Sequence, residues 1–193
     1  MYLFSSSLSE VAGVIHGFSD DRGAWTPDPE QTQAFWSGLA VPLGFEGHEV
    51  ARLHQVHGRT VVEVVSGMDQ GEGDALITRT PGVLLSVRTA DCVPILLASE
   101  GEVAAVHAGW RGLVAGVIEA TLERLHSVPL AATIGPCISV EHYEVGTELV
   151  DEVAACGVPT EVFLREDLGE RPHVDLKRAA AWKLEQAGIR TEV

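Results

Sequence analysis

The sequence has little positive charge and no long hydrophobic run. Thirteen Lys and Arg stand against 28 Asp and Glu, which gives a net charge of −15. Such a balance argues against a nucleic-acid partner, because phosphate backbones are bound through a basic surface. It also disfavours an anionic membrane surface. No stretch approaches the roughly 20 apolar residues that span a bilayer, so we expect no membrane partner of either kind.

Cysteine is also scarce, with three residues in 193. An odd number without a disulfide-framework spacing favours a reduced chain. The first residues lack the basic and long apolar regions of a secretion signal, so we expect a cytoplasmic protein. The length predicts one domain with a sizeable core. The sequence carries no signal for an oligomeric state.

The apolar pattern predicts a mixed α/β (α+β) fold. The first half is dominated by strands, and the second half alternates between strands and helices. We predict strands at 11–18, 50–55, 60–65, 74–78, 83–88, 93–98, 102–107 and 131–134, with a hairpin-like connection between the second and the third. Helix signals begin at Asp28 and cover 111–125, 148–157 and 176–187.

Cys92 and His107 are the clearest candidates for chemistry, because a short hairpin can bring them together. The runs 93–98 and 102–107 predict two antiparallel strands. A thiol beside an imidazole is either a nucleophile with its base or a pair of metal ligands. Each residue taken alone could instead be structural, as a small buried thiol or a satisfied histidine at a strand end.

The position of the hairpin turn decides which residues face each other. A turn centred on Ser99 and Glu100 sets Cys92 opposite His107. A turn centred one residue later sets Cys92 opposite Gly109, which is still a near neighbour of His107. Residues that pair directly across antiparallel strands have Cα atoms about 4.5–5.5 Å apart.

A third candidate ligand comes from the pair His54 and His57. Side chains alternate between the two faces of an extended chain, so only one of these two is expected to join the site. His57, next to Gly58 at a strand end, is the better placed. Three protein ligands of this kind suit zinc and leave a fourth position for water or substrate. Copper is the alternative, since thiolate and imidazole suit it too.

Polar residues collect around this pair. Arg111 and the backbone N–H groups after His107 could bind an anion. Trp110 could stack on a base or simply pack. Asp91 could act as a general acid or base, or could orient a ligand histidine. We expect Cys137 to be structural.

Several ordered motifs carry a resemblance to a known family. They are HQVHG at 54–58, DALIT at 74–78, TADCVPILL at 89–97, HAGWRGL at 107–113, IGPCI at 134–138, YEVG at 143–146 and VDL at 174–176. With them the chain resembles the laccase-domain family, also called multicopper polyphenol oxidase or DUF152, over roughly residues 50 to 190. The resemblance implies packed β-sheets covered by outer helices, in a layered architecture related to cysteine hydrolases.

The resemblance also implies chemistry. It places zinc on His57, Cys92 and His107, and it implies purine nucleoside phosphorolysis with adenosine deamination. The substrates implied are adenosine, inosine, methylthioadenosine and phosphate. Within the matched motifs we assign Cys92, His107 and Asp91 to catalysis, and Arg111, Gln55 and Gly109 to substrate binding.

Two parts of the chain depart from the family pattern. A Phe-Ser-Thr-Arg-like segment is replaced by FSDDRG at 18–23, and the carboxyl-terminal Cys-Thr and Phe-Ser-Tyr-Arg-Arg elements do not occur before Val193. We therefore expect one laccase-type domain over 1–193 without the carboxyl-terminal family segment. The alternatives to the nucleoside enzyme are a copper-dependent polyphenol oxidase, a metal-free Cys–His hydrolase and an inactive binding homologue.

Overall fold

The computed structural model describes residues 2–19, 38, 41, 44 and 50–193. The strands are β1 (Tyr2–Leu3), β2 (Phe18–Ser19), β3 (Val50–His54), β4 (Val61–Val64), β5 (Met68–Glu72), β6 (Ala75–Thr78), β7 (Leu84–Leu85), β8 (Val93–Ser99), β9 (Glu102–Ala108), β10 (Ala131–Ile134), β11 (Leu164–Arg165), β12 (His173–Val174) and β13 (Thr191–Glu192). The helices are α1 (Ser6–Ser9), α2 (Trp110–Ala115), α3 (Val117–Arg124), α4 (Thr147–Ala155), α5 (Thr160–Phe163) and α6 (Leu176–Gln186), with a 3-10 helix at Val140–His142.

The main sheet has the strand order β13-β10-β8-β9-β6-β4 within the described part of the chain. Its centre is the antiparallel pair β8 and β9, which are seven residues long and buried along most of their length. Because both faces of these strands are covered, they are nearly continuous apolar runs rather than alternating ones. This confirms the two strands that the sequence predicts here.

Helices cover one face of the main sheet, and a small sheet covers part of the other. Ala75 and Ile77 of β6 contribute to the core on the helix side. Leu76 between them points the other way, onto Ala51 and Leu53 of the sheet β5-β3-β7. The alternation follows from the two-residue period of a strand. The layered, mixed α/β fold confirms the predicted fold class of packed sheets covered by outer helices.

The predicted hairpin-like connection between the second and third strands is wrong. β3 pairs in parallel with β5 and β7 in the small sheet, whereas β4 pairs in parallel with β6 in the main sheet. Both strands bury apolar side chains, so each can be satisfied by a different sheet, and sequence pattern does not decide between partners. The segment 55–60 therefore crosses between two sheets instead of turning back on itself.

The hairpin between β8 and β9 adopts the later of the two registers. Ser99 pairs with Glu102, and Pro94, not Cys92, pairs with His107. The two-residue turn uses Gly101 at a φ of +74°, a conformation that glycine adopts without steric cost. Continuing this register sets Cys92 opposite Gly109, so the turn centred on Ser99 and Glu100 is the wrong alternative.

Three further predictions need correction or fall outside the structure. The predicted strand at 11–18 is reduced to β2 at its end. The predicted helix at 111–125 is two helices, because Gly116 has a φ of +86° and interrupts the helical conformation between α2 and α3. The helix signal at Asp28 lies outside the described residues. By contrast, α4 and α6 lie close to their predicted positions, and the Asp175 side chain caps α6 as expected.

None of the helices in the described part of the chain is long and apolar enough to cross a membrane.

Hydrogen bonds connect the amino-terminal segment to β13. The Glu192 carboxylate accepts hydrogen bonds from the backbone N–H groups of Ser6 and Ser7 and from the Ser5 hydroxyl. These bonds lower the pKa of Glu192 from 4.5 to about 2. They stabilise the charged form.

We expect this contact to weaken in acid. Because the pKa of Glu192 is lower in the folded protein, the contact is complete above pH 4.5 and is lost as the pH falls towards 2. The NMR signals of the Ser6 and Ser7 amides should titrate with a midpoint nearer 2 than 4.5. At neutral pH, Glu192→Ala should speed hydrogen exchange in α1. Glu10→Ala, which removes only an exposed ion pair with Arg190, should not. A midpoint near 4.5 would contradict this prediction.

Candidate metal centre

Three separate elements bring His57, Cys92 and His107 together. His57 lies in the segment that crosses between the two sheets, Cys92 immediately precedes β8, and His107 is the second-last residue of β9. One potential ligand atom from each side chain lies within 4.8 Å of the other two. The two imidazole rings meet edge to face, with centroids 4.8 Å apart.

Asp74 forms hydrogen bonds with both histidines of this group. Its side chain is fully buried, and its Oδ1 lies 2.9 Å from Nδ1 of His107. The same oxygen accepts a 2.9 Å hydrogen bond from the His57 backbone N–H, and Oδ2 accepts one of 2.6 Å from Gly58. The Asp74 carbonyl also accepts the backbone N–H of His107 at 2.7 Å. One residue thus holds both histidines in place.

His57 has an unusual backbone conformation, which the hydrogen bonds to the Asp74 carboxylate support. Its φ is +61°, in the left-handed region that a side chain with a Cβ seldom adopts. Such a conformation costs of order 1–3 kcal/mol and persists only where the surroundings enforce it. The two charge-assisted bonds from His57 and Gly58 to the Asp74 carboxylate supply that enforcement.

Gly109 makes room for the cluster. A Cβ added at this position would lie 2.9 Å from the Cys92 sulfur and 3.0 Å from Cδ2 of His57. Any larger residue would displace one of the two side chains. The backbone of Gly109 therefore packs directly against two of the candidate ligands, and its assignment to substrate binding stays a prediction.

The electrostatics favour neutral side chains in the absence of a cation. Burial, aided by the negative charges of Asp91 and Asp74, raises the pKa of the Cys92 thiol. Burial also lowers the pKa of His107, despite the opposing effect of Asp74. An activated cysteine nucleophile has a lowered pKa, usually next to a cation. The environment of Cys92 is therefore unlike that of a metal-free cysteine hydrolase.

The donor set and its support suit a metal ion. One sulfur and two imidazole nitrogens are the ligands that zinc and copper prefer. With Nδ1 of His107 bonded to the Asp74 carboxylate, Nε2 is the atom left to bind a metal. A histidine held by a buried carboxylate in this way is the usual arrangement of a metal ligand.

The other predicted site residues lie around this cluster with different partners. The guanidinium of Arg111, which is exposed, lies 4.4 Å from the centre of the Trp110 ring. Trp110 itself packs on the core, which supports the packing alternative for this residue. The helix they belong to, α2, has six residues. The assignment of Arg111 to substrate binding stays a prediction.

Gln55 and Asp91 lie within two residues of His57 and Cys92 along the chain. The side-chain amide of Gln55 both donates to the Arg88 carbonyl, at 2.7 Å, and accepts from the Arg88 N–H, at 2.8 Å. Asp91 is exposed. The carboxylate that orients His107 is that of Asp74, so for Asp91 the role of general acid or base stays a prediction.

Sequence reasoning missed two residues of this region, Asp74 and Tyr143. Asp74 is a charged residue directly before four buried residues of β6, and a carboxylate at the end of a buried strand is a recognisable signal. Burial raises the pKa of the half-buried Tyr143, and the charges of Cys92, Arg111 and Asp91 also act on it. Tyr143 therefore joins the candidate residues of this region.

Comparisons with known proteins show which family this chain resembles. The family model for the multi-copper polyphenol oxidoreductase laccase matches residues 23–193. A purine nucleoside phosphorylase of Deinococcus radiodurans is 41% identical over 188 residues, which cover 92% of this chain and 71% of that protein. One from Mycobacterium tuberculosis is 35% identical over 171 residues, which cover 84% of this chain and 67% of that protein.

Solved structures show the same fold. The Neisseria meningitidis protein NMB0706, of the DUF152 family, superposes with a TM-score of 0.73 at 29% identity, covering 85% of this chain and 69% of that one. YlmD from Geobacillus stearothermophilus superposes with a TM-score of 0.71 at 29% identity, covering 86% and 70%. With a family match over most of its length, the chain belongs to the multi-copper polyphenol oxidoreductase laccase family, the DUF152 proteins.

Proposed function

We propose that this protein is a zinc-dependent purine nucleoside phosphorylase that also deaminates adenosine. The observation that carries the proposal is the group His57, Cys92 and His107, held by a buried Asp74. The relatives from Deinococcus radiodurans and Mycobacterium tuberculosis, whose names are those of enzymes, support the phosphorylase activity. Adenosine, inosine and methylthioadenosine are the proposed nucleosides. The three free thiols suit a reducing compartment, and we place the protein in the cytoplasm.

Zinc is the proposed metal, with copper as the alternative. Within the described residues, one group of three or more potential ligands is close enough to hold an ion. A multicopper oxidase needs several metals and correspondingly more histidines than this single centre provides. A bound zinc ion supplies Lewis acidity and lowers the pKa of a bound water to about 7.

The surrounding side chains provide the remaining functions. In phosphorolysis a phosphate oxygen bonds to the ribose C1′ while the bond to the purine nitrogen breaks, and the purine leaves with a proton. Arg111 carries the charge that holds the phosphate. Asp91, exposed next to Cys92, exchanges the proton. In deamination, water adds to C6 of adenine and ammonia leaves, so the same site needs no phosphate.

Metal analysis combined with turnover tests the proposal. Protein purified without metal supplementation should contain about one zinc per chain, convert inosine only with phosphate, and convert adenosine to inosine without it. Stoichiometric copper with oxidation of phenols would instead support the polyphenol oxidase. Hydrolysis by metal-free protein would support the cysteine hydrolase. A zinc-loaded protein that binds nucleosides without turnover would be the inactive homologue.

Arg111→Ala should separate the two reactions. Loss of charge-assisted hydrogen bonds typically costs about 1.5–3 kcal/mol, which corresponds to about a tenfold or greater rise in the KM for phosphate. Adenosine deamination should change much less, because water replaces phosphate there. Steady-state kinetics with varied phosphate measure the effect, and Arg190→Ala, an exposed arginine beside Glu10, is the control. Equal loss of both activities would show that Arg111 holds the nucleoside or the fold.

A further inference from the structure

Cys92 and Cys137 lie just beyond the ends of two neighbouring strands, β8 and β10. β8 and β10 are antiparallel, and Ile95 pairs with Ile134 at the end of the ladder. The same alignment continues beyond the ladder, because the N–H of Gly135 donates to the Pro94 carbonyl at 2.9 Å.

A second hydrogen bond closes the far side of the two cysteines. The N–H of Ile138 donates to the Asp91 carbonyl at 3.1 Å. In this alignment Cys92 falls opposite Cys137, between the two bonds. Directly paired residues of a regular antiparallel ladder have Cα atoms about 4.5–5.5 Å apart, and the two flanking bonds hold Cys92 and Cys137 at corresponding positions just beyond such a ladder. A disulfide needs a Cα separation of about 4.4–6.8 Å.

Both thiols are free and half-buried. Burial raises the pKa of the Cys137 thiol. The third cysteine, Cys156, lies elsewhere, at the end of α4, where its sulfur donates to the Val153 carbonyl at 3.0 Å.

We propose that Cys92 and Cys137 form a reversible disulfide that withdraws the Cys92 sulfur from the metal centre. The alignment of β8 and β10 supports the disulfide. The effect of the disulfide on metal binding rests on the function proposed above. The Cys92 sulfur now lies with His57 and His107, against Gly109. Bonding to Cys137 requires it to turn away from the histidines, so metal binding and the disulfide exclude each other.

The oxidant is a low-molecular-weight disulfide. The thiolate of one cysteine attacks it, which forms a mixed disulfide and releases one small thiol. The second cysteine then attacks the protein sulfur of the mixed disulfide, forms the bond between Cys92 and Cys137, and releases the second small thiol. The two protons lost by the cysteines end on the two released thiols. A thiol reductant reverses both exchanges.

Mass spectrometry of metal-free protein treated with hydroxyethyl disulfide tests the pairing. Trypsin leaves Cys137 and Cys156 on one peptide, 125–165, so a second cleavage after Glu141 is needed to separate them. We expect a cross-link between peptides containing Cys92 and Cys137, retained in Cys156→Ser and lost in Cys137→Ser. A cross-link to Cys156, or mixed disulfides alone, would refute the pairing.

Zinc affinity measured by chelator competition tests the switch. The cross-linked protein should bind zinc at least about a hundredfold more weakly, because loss of a ligand exceeds the 10–100-fold typical of its supporting residues. Reduction should restore the affinity, and prior zinc loading should slow the cross-link. Unchanged affinity after cross-linking would refute the switch. A cross-link in protein that never binds zinc would confirm the disulfide and refute the metal site, whereas zinc binding without a cross-link would do the reverse.

Discussion

Cys92→Ala should abolish both metal binding and nucleoside turnover while the fold remains intact. The sulfur is the one anionic donor of the proposed ligand set, and the two histidines alone bind zinc weakly. The fold should survive because Cys92 lies half-buried in the bend before β8, whereas the core is built from the apolar residues of β8 and β9. Elemental analysis, adenosine and inosine turnover, and thermal unfolding measure the three effects.

Cys156→Ala is the matched control for this variant. It removes a thiol group from the end of α4, far along the chain from the metal centre. The Cys156 sulfur donates a hydrogen bond to the backbone carbonyl of Val153. Zinc content and turnover should be close to those of the unaltered protein. Nucleoside turnover that persists in Cys92→Ala would show that the reaction does not depend on this sulfur.

Asp74→Asn should weaken zinc binding by about 10–100-fold, the usual effect of removing a carboxylate that supports a ligand histidine. Both oxygens of Asp74 accept hydrogen bonds, Oδ1 from His57 and His107 and Oδ2 from Gly58. An asparagine presents an NH₂ group on one side, so at least one donor would face another donor. A buried unsatisfied donor costs about 1–3 kcal/mol, which should also appear as a lower unfolding temperature.

The readouts separate a positioning role from a purely structural one. Excess zinc should restore much of the turnover of Asp74→Asn if Asp74 acts by holding the histidines. Asp69→Asn is the control, because Asp69 is exposed and its carboxylate accepts a local hydrogen bond, at 2.9 Å, from the backbone N–H of Gly71. Zinc affinity equal to that of the unaltered protein would contradict the assignment of Asp74 to the metal centre.

The hairpin shows how far local pattern predicts a site. The apolar runs of β8 and β9 and the intervening turn bring the ends of two strands together, whichever register the turn adopts. Cys92 therefore lies near His107 in either register. In the observed register it lies opposite Gly109, because Pro94 is the residue that pairs with His107. The one-residue difference depends on Gly101 taking a positive φ, which the sequence allows but does not require.

His57 and Asp74 show where local pattern ends. The strand-end position of His57 predicts that it, and not His54, joins the site, yet its place there depends on β3 and β4 joining different sheets. Asp74 lies 33 residues before His107 and 17 after His57. Its three side-chain bonds form only when β6 pairs with β9 and the crossing segment lies beside them.

The sequence by itself determined the long central strands, the positions of α4 and α6, the acidic character and the residue types suited to a metal. These follow from side-chain periodicity and chemistry, which act over a few neighbouring residues. Only the tertiary structure decided which sheet each strand joined, how Asp74 holds both histidines, and that Cys92 and Cys137 occupy corresponding positions beyond β8 and β10. Those features depend on pairings between distant segments, and several pairings can bury the same apolar residues equally well.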